Sequence, residues 1–236
     1  MKNILLIFFF MIISQLAKAQ DTYNELKTQY DSLRKVENHE GALLVAKQMN
    51  AWALKNETDT SLRYAVSLRY VGNCYMSFEK YDSSIIFYNN VLQILEKQGR
   101  KNDVDYTETL NSLGISYKHD GEFKKAEESY LKAIDIRNQY PKSAGYKPRY
   151  LNNLGYLYVS MGLYDQAEEK IIEALSRFRA IYPSPDDSIK FIYIVHSLAS
   201  VKIAEKNYYE ADTLLRKWLA VVERQKDYKK NELLNG

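Results

Sequence analysis

Apolar residues through the middle of the chain recur with a helical period, not an alternating one. In 107–119, Leu110, Leu113 and Tyr117 fall at i, i+3 and i+7, the stripe of an amphipathic helix. Asp120-Gly121 interrupts it, and glycine suits the left-handed backbone at a helix end. A second stripe follows at Phe123, Ala126, Tyr130, Ala133 and Ile134. The pattern predicts two antiparallel helices joined by a tight turn.

The chain repeats this pattern. LNSLGISYKHDGEFKKA (110–126) returns as LNNLGYLYVSMGLYDQA (151–167). Gly72, Gly114 and Gly155 are spaced by 42 and 41 residues, and Ala199 holds the same place 44 further on. An aromatic follows nine residues after each (Tyr81, Phe123, Tyr164, Tyr208), and a small residue three beyond that (Ser84, Ala126, Ala167, Ala211). Tyr75, Tyr117 and Tyr158 form a further column that Lys202 breaks. Five units result, at about 22–55, 65–99, 107–140, 148–182 and 192–225, with Tyr30 where the first would have glycine. Pro141, Pro148, Pro183 and Pro185 fall at the joins, where a helix cannot continue.

Glycine inside a helix costs about 1 kcal/mol relative to alanine. Close helix packing, at roughly 8–10 Å between axes, offsets that cost where side chains at the crossing are small. Gly72, Gly114 and Gly155 are therefore assigned to the crossings, together with Ala126, Ala167 and Ala211 on the second helices. No unit can bury both its stripes alone, so the units must stack. The expected fold is all-α, an α-solenoid of stacked antiparallel helix pairs covering 20–225, with a charged tail at 226–236.

The amino terminus changes the compartment. MKNILLIFFFMIISQLAKA carries an early lysine, an apolar run from Ile4 to Ile13 and a small-x-small site at Ala17-Lys18-Ala19. Ten apolar residues are too few to span a bilayer, which takes about 20. Residues 1–19 are expected to be a secretory signal peptide, giving an exported mature chain that starts at Gln20, periplasmic or secreted, without a membrane span.

Without Lys2 and Lys18, 33 basic residues become 31 against 30 acidic ones, a net charge of +1. That balance supplies no electrostatic footprint for nucleic acid. Cys74 is the one cysteine, so no intrachain disulfide forms, and its apolar helical setting reads as core. His39, His119 and His196 lie in different units. The sequence has no CxxC, no glycine-rich phosphate loop and no G-x-S-x-G elbow. No catalysis, metal or cofactor is expected.

The arrangement resembles the tetratricopeptide repeat family through Leu110, Leu113-Gly114, Tyr117, Gly121, Phe123, Ala126, Tyr130 and Ala133. The next unit repeats it as Leu151, Leu154-Gly155, Tyr158, Gly162, Tyr164, Ala167, Ile171 and Ala174. The family period is about 34 residues. The longer spacing here looks like the kinesin-light-chain type. The resemblance implies a right-handed superhelix whose first helices line a concave groove.

Counted from the glycines, the groove positions implied by the family include Arg69, Asn73, Asn111, Ile115, Lys118, Arg149, Asn152, Tyr156 and His196. A carboxamide both donates and accepts, so an asparagine ladder suits the backbone of an extended peptide. Some family members clamp a terminal carboxylate with Lys, Asn, Asn, Lys and Arg. Here Arg69, Asn73 and Arg149 stand at three of those places, while Ser112 and Asn153 depart from the pattern. The implied function is a non-enzymatic exported scaffold that binds a protein or peptide. The alternatives are the extracytoplasmic sensor portion of a signalling protein (histidine-kinase or transcription-regulator type) and an accessory array for a separate enzyme.

Overall fold

The structure is a computed structural model that describes residues 22–140, 148–182 and 192–216, together with 219, 220 and 223. The leader expected at 1–19 and the tail at 226–236 lie outside the described residues. All regular structure among the described residues is helical. The helices are α1 (22–35), α2 (His39–Asn56), α3 (Leu62–Ser77), α4 (Tyr81–Lys97), α5 (Val104–His119), α6 (Phe123–Gln139), α7 (Arg149–Ser160), α8 (Tyr164–Ile181), α9 (Ile192–Ala204) and α10 (208–216). The chain divides between Asp120 and Gly121 into two compact units.

In the first unit α2 packs on α3, α3 on α4 and α4 on α5, and α3 also reaches α5. The core joins Tyr23 and Tyr30 of α1 to Ala42, Val45, Ala46, Met49 and Ala53 of α2, and to Tyr70, Val71 and Cys74 of α3. Tyr30 lies flat against Tyr70 at 4.5 Å between ring centroids, and the Tyr23 hydroxyl donates to the Arg63 carbonyl at 3.0 Å. At the α3–α4 crossing, a Cβ on Gly72 would lie 2.8 Å from Cε1 of Tyr88. The closest approach at Gly72 is therefore to a ring. Ser84 is fully buried nearby, and its hydroxyl pairs with that of Ser116 on α5 at 2.7 Å.

In the second unit α6 packs on α7, α7 on α8, and α9 on both α7 and α8. A Cβ on Gly155 would lie 2.5 Å from Ile171 Cγ1 and 3.0 Å from the carbonyl oxygen of Ala167. Only glycine lets α7 and α8 approach this closely. Ala126, Ala167 and Ala211 are buried on α6, α8 and α10, as is Gly114 on α5.

The turns within pairs share one geometry. Gly162 has φ +75°, and the next N–H, of Leu163, returns to the Tyr158 carbonyl at 2.9 Å. The α3–α4 turn makes the same closure with Glu79 at φ 57° and Lys80 N–H on the Tyr75 carbonyl at 2.9 Å.

Lys202, which breaks the tyrosine column, has a structural reason for doing so. Tyr158 on α7 donates its hydroxyl to Glu127 on α6 at 2.7 Å. One repeat later Lys202 on α9 reaches Glu168 on α8 at 2.6 Å. Glu127 and Glu168 hold the same repeat position, so the acceptor is kept while the donor changes from phenol to ammonium. Glu205 adds a second partner to Lys202 at 3.2 Å.

Candidate functional site

The groove positions fall on the first helix of each pair. α3 carries Arg69 and Asn73, α5 carries Asn111, Ile115 and Lys118, α7 carries Arg149, Asn152 and Tyr156, and α9 carries His196. The first five belong to the first unit and the last four to the second.

In the first unit several of these groups are already engaged. Arg69 Nη2 donates to Asp105 Oδ1 at 2.8 Å, tying α3 to α5 with both side chains largely covered. Its charge is therefore compensated within the fold, which weakens its use in a carboxylate clamp. Asn73 Oδ1 accepts the hydroxyl of buried Tyr88 at 2.8 Å. Asn111 is only 3 % exposed and packs as part of α5's buried surface. Ile115 and Lys118 are half-buried, and burial holds the Lys118 ammonium below its usual pKa. His119, the next residue, stacks on Tyr81 at 4.8 Å. Burial, then the neighbouring Lys118 charge, lowers its pKa.

The second unit has a different character. Asn152 is buried, and its carboxamide oxygen has no hydrogen-bond partner. One turn on, Tyr156 is 39 % exposed, and His196 on the adjacent α9 is exposed. Arg149 opens α7 with its guanidinium carbon 5.6 Å from the centroid of the Tyr150 ring. This face therefore combines an unsatisfied amide with an accessible phenol and imidazole.

The sequence reading missed two groups: the Lys202 cluster and Arg137. Arg137 continues the α6 stripe of Tyr130 and Ala133, and it is 1 % exposed. A charged residue on an apolar stripe was the available signal. Among the described residues, no group of three or more His, Cys, Asp or Glu side chains could hold a metal ion. No described helix is long and apolar enough to cross a membrane. Cys74 is buried, and burial raises its thiol pKa.

Stacked helical hairpins with small residues at their crossings define the class, a helical repeat protein. Tetratricopeptide repeat models match residues 63–139 and residues 148–180, so the chain carries tetratricopeptide repeats over both stretches. No curated protein matches the chain. Solved structures share the fold at low identity. BtubC (BKLC) from P. vanneervenii is 16% identical with a TM-score of 0.75, covering 92% of this chain and 85% of that one. A Podosopora anserina protein described as a kinesin light chain with nearly identical TPR-like repeats is 17% identical, with a TM-score of 0.68, 87% of this chain and 98% of its own covered. The Rap conjugation gene regulator of plasmid pLS20, solved with a Phr peptide, is 17% identical with a TM-score of 0.70. That match covers 89% of this chain and 56% of the regulator.

Proposed function

We propose that this chain is an exported scaffold that binds a segment of another protein along the first helices of its repeats. The observation that carries the reading is the accessible face of α7 and the adjacent α9, where Tyr156 is 39 % exposed and His196 is exposed. Tyr156 and His196 offer a phenol and an imidazole there to the backbone of an extended peptide. The Rap regulator, solved with a peptide, supports the reading by showing that an array of this fold can accommodate one. The resting place of the mature chain is part of the proposal, because the leader sequence, not the fold, argues for export.

The test uses the mature chain as bait in envelope extract, followed by titration calorimetry with the captured partner. Tyr156→Ala and His196→Ala together should weaken that partner at least tenfold with an unchanged melting temperature. Equal affinity in the double variant would refute the groove. Terminal sequencing of the protein recovered from cells should begin at Gln20, and retention of Met1 would refute export by cleavage. An alternative assignment, the sensor portion of a signalling protein, uses the same groove and differs only in what the chain is joined to.

A further inference from the structure

The second helices of the pairs do not present the same face to water. One repeat position on α2, α4, α6 and α8 reads Leu44, Ile86, Glu128 and Glu169. All four side chains are exposed, Leu44 at 60 % and Ile86 at 62 %. Glutamate there is an ordinary solvated residue, whereas an aliphatic side chain gains only when it is covered. The helices around them share the difference. α2 carries one charge, Lys47, between Gly41 and Leu54, and α4 carries none between Ser83 and Leu95.

α2 and α4 each pack on α3, and two clefts lie between them with α3 as their floor. One, of about 510 Å³, is walled by Leu43 and Leu44 and floored by Tyr75 and Phe78, with Glu40 on the α2 side and Lys80 on the α4 side. The other, of about 460 Å³, is walled by Phe87 and Ile94 and floored by Tyr64 and Leu68. Asp59, just beyond α2, and Lys97, the last residue of α4, stand at its edge. Tyr75 of the first cleft stacks on Phe87 of the second at 5.3 Å, so the two adjoin. None of the four charges forms an ion pair with a described residue. Each end of the groove therefore offers an acid from the α2 side and a lysine from the α4 side.

We propose that the α2–α4 face is the interface of a homodimer, covered by the same face of a second copy of this chain. A two-fold contact uses one patch twice, so the patch must supply both projections and hollows. Leu44 and Ile86 project, and the two clefts receive. The charges fix the axis. A two-fold axis along the groove lays α2 of one copy over α4 of the other. Glu40 then meets the partner's Lys80, Asp59 meets the partner's Lys97, and Leu44 meets the partner's Ile86, which holds the same repeat position. An axis across the groove would instead set Glu40 against the partner's Asp59 and Lys80 against the partner's Lys97, and like charges so placed oppose association. The patch is complementary to itself in charge and in shape, which assigns it to a second copy. It shares no residue with the face at Tyr156 and His196.

Sedimentation velocity of the mature full chain over a concentration series reads the association. Wild type should pass from monomer to dimer as concentration rises. Leu44→Glu with Ile86→Glu should weaken that step at least tenfold at an unchanged melting temperature, because glutamate is what this position already carries in α6 and α8. Equal association in the double variant overturns the proposal. So does a wild type that stays monomeric at every concentration, the result expected if an unrelated protein or another segment of the same chain covers this face. Mixing reads the axis. Glu40→Lys and Lys80→Glu should each associate less than wild type at low salt, and an equimolar mixture of the two should recover. A mixture no better than its parts overturns the arrangement. Should the glutamate variants fail to fold, Leu44→Cys mixed with Ile86→Cys carries the test. Mild oxidation should give the mixed cross-link in excess over either self-cross-link, and equal yields overturn the interface.

Discussion

Replacing Gly155 by alanine sets two physical effects against each other with opposite signs. On helix propensity alone the change stabilises by about 1 kcal/mol. The added methyl would sit 2.5 Å from Ile171 Cγ1 and 3.0 Å from the Ala167 carbonyl oxygen. Comfortable carbon–carbon contact lies at about 3.5–4.0 Å, so α7 and α8 must part by roughly 1 Å, or Ile171 must leave its rotamer. The carbonyl cannot yield without moving the α8 backbone. Overpacking of this kind costs about 1–3 kcal/mol. The clash here is severe, so the net expectation is a loss of about 1–2 kcal/mol, read as a lower urea midpoint. Ile171→Ala alone should lose about 2–5 kcal/mol through the cavity it leaves. It also removes Cγ1 and Cδ1, two of the three atoms the new methyl meets, so the double variant should be less damaged than the sum. A stabilised Gly155→Ala, or strict additivity in the cycle, would refute the crossing argument.

Two more predictions follow from local geometry. Glu79 holds φ 57°, where a side chain costs about 1–2 kcal/mol. Glu79→Gly should therefore raise the urea midpoint, by about 0.5–1 kcal/mol once glycine's extra chain entropy is deducted, and a lower midpoint would count against the turn. For Lys202, burial pulls the pKa down, but the hydrogen bonds and charges of Glu168 and Glu205 outweigh it and hold the ammonium above the usual lysine range. A base whose folded pKa is raised contributes its full stability below the ordinary lysine pKa and loses it as pH rises through the folded value. The stability gap between wild type and Lys202→Met should accordingly shrink with alkali above that pH. A gap that widened there would contradict the ion-pair assignment.

How far the sequence reaches depends on which force acts at each residue. Periodicity records burial, so the helical stripes, the paired helices and the small residues at the crossings were all readable. Gly155 and Ala167 could be assigned to one crossing from their recurrence, and the Ala167 carbonyl does lie there, but the still closer Ile171 could not be read. Ile171 meets the missing Cβ because side-chain direction, not repeat column, sets contact. Tyr30 breaks the glycine column because α1 turns its ring onto Tyr70. Arg69 illustrates the limit at the candidate surface. Its repeat position marks it as groove-lining, while Asp105, 36 residues away, takes its charge. Polar side chains choose partners by reach and geometry, and a one-dimensional pattern contains neither.

The polar pairs also bear on how neighbouring repeats keep their register. Apolar ridges alone would tolerate a slip of one turn, since leucine, alanine and tyrosine recur at similar spacings. Four contacts between successive pairs are less forgiving: Arg69 with Asp105, Ser84 with Ser116, Tyr158 with Glu127 and Lys202 with Glu168. Their separations are 36, 32, 31 and 34 residues, shorter than the repeat because the last three run from the second helix of one pair to the first of the next. A one-turn slip moves a side chain by about 5.4 Å, beyond hydrogen-bond reach, and strands a covered charge or hydroxyl. Each stranded group costs about 1–3 kcal/mol, more for an ion. Substituting a lysine for tyrosine in the last column keeps this register lock, because Glu168 still finds a donor. The conserved element of the stack is thus a geometric relation between neighbours, and the repeat motif can degrade without the stacking losing its alignment.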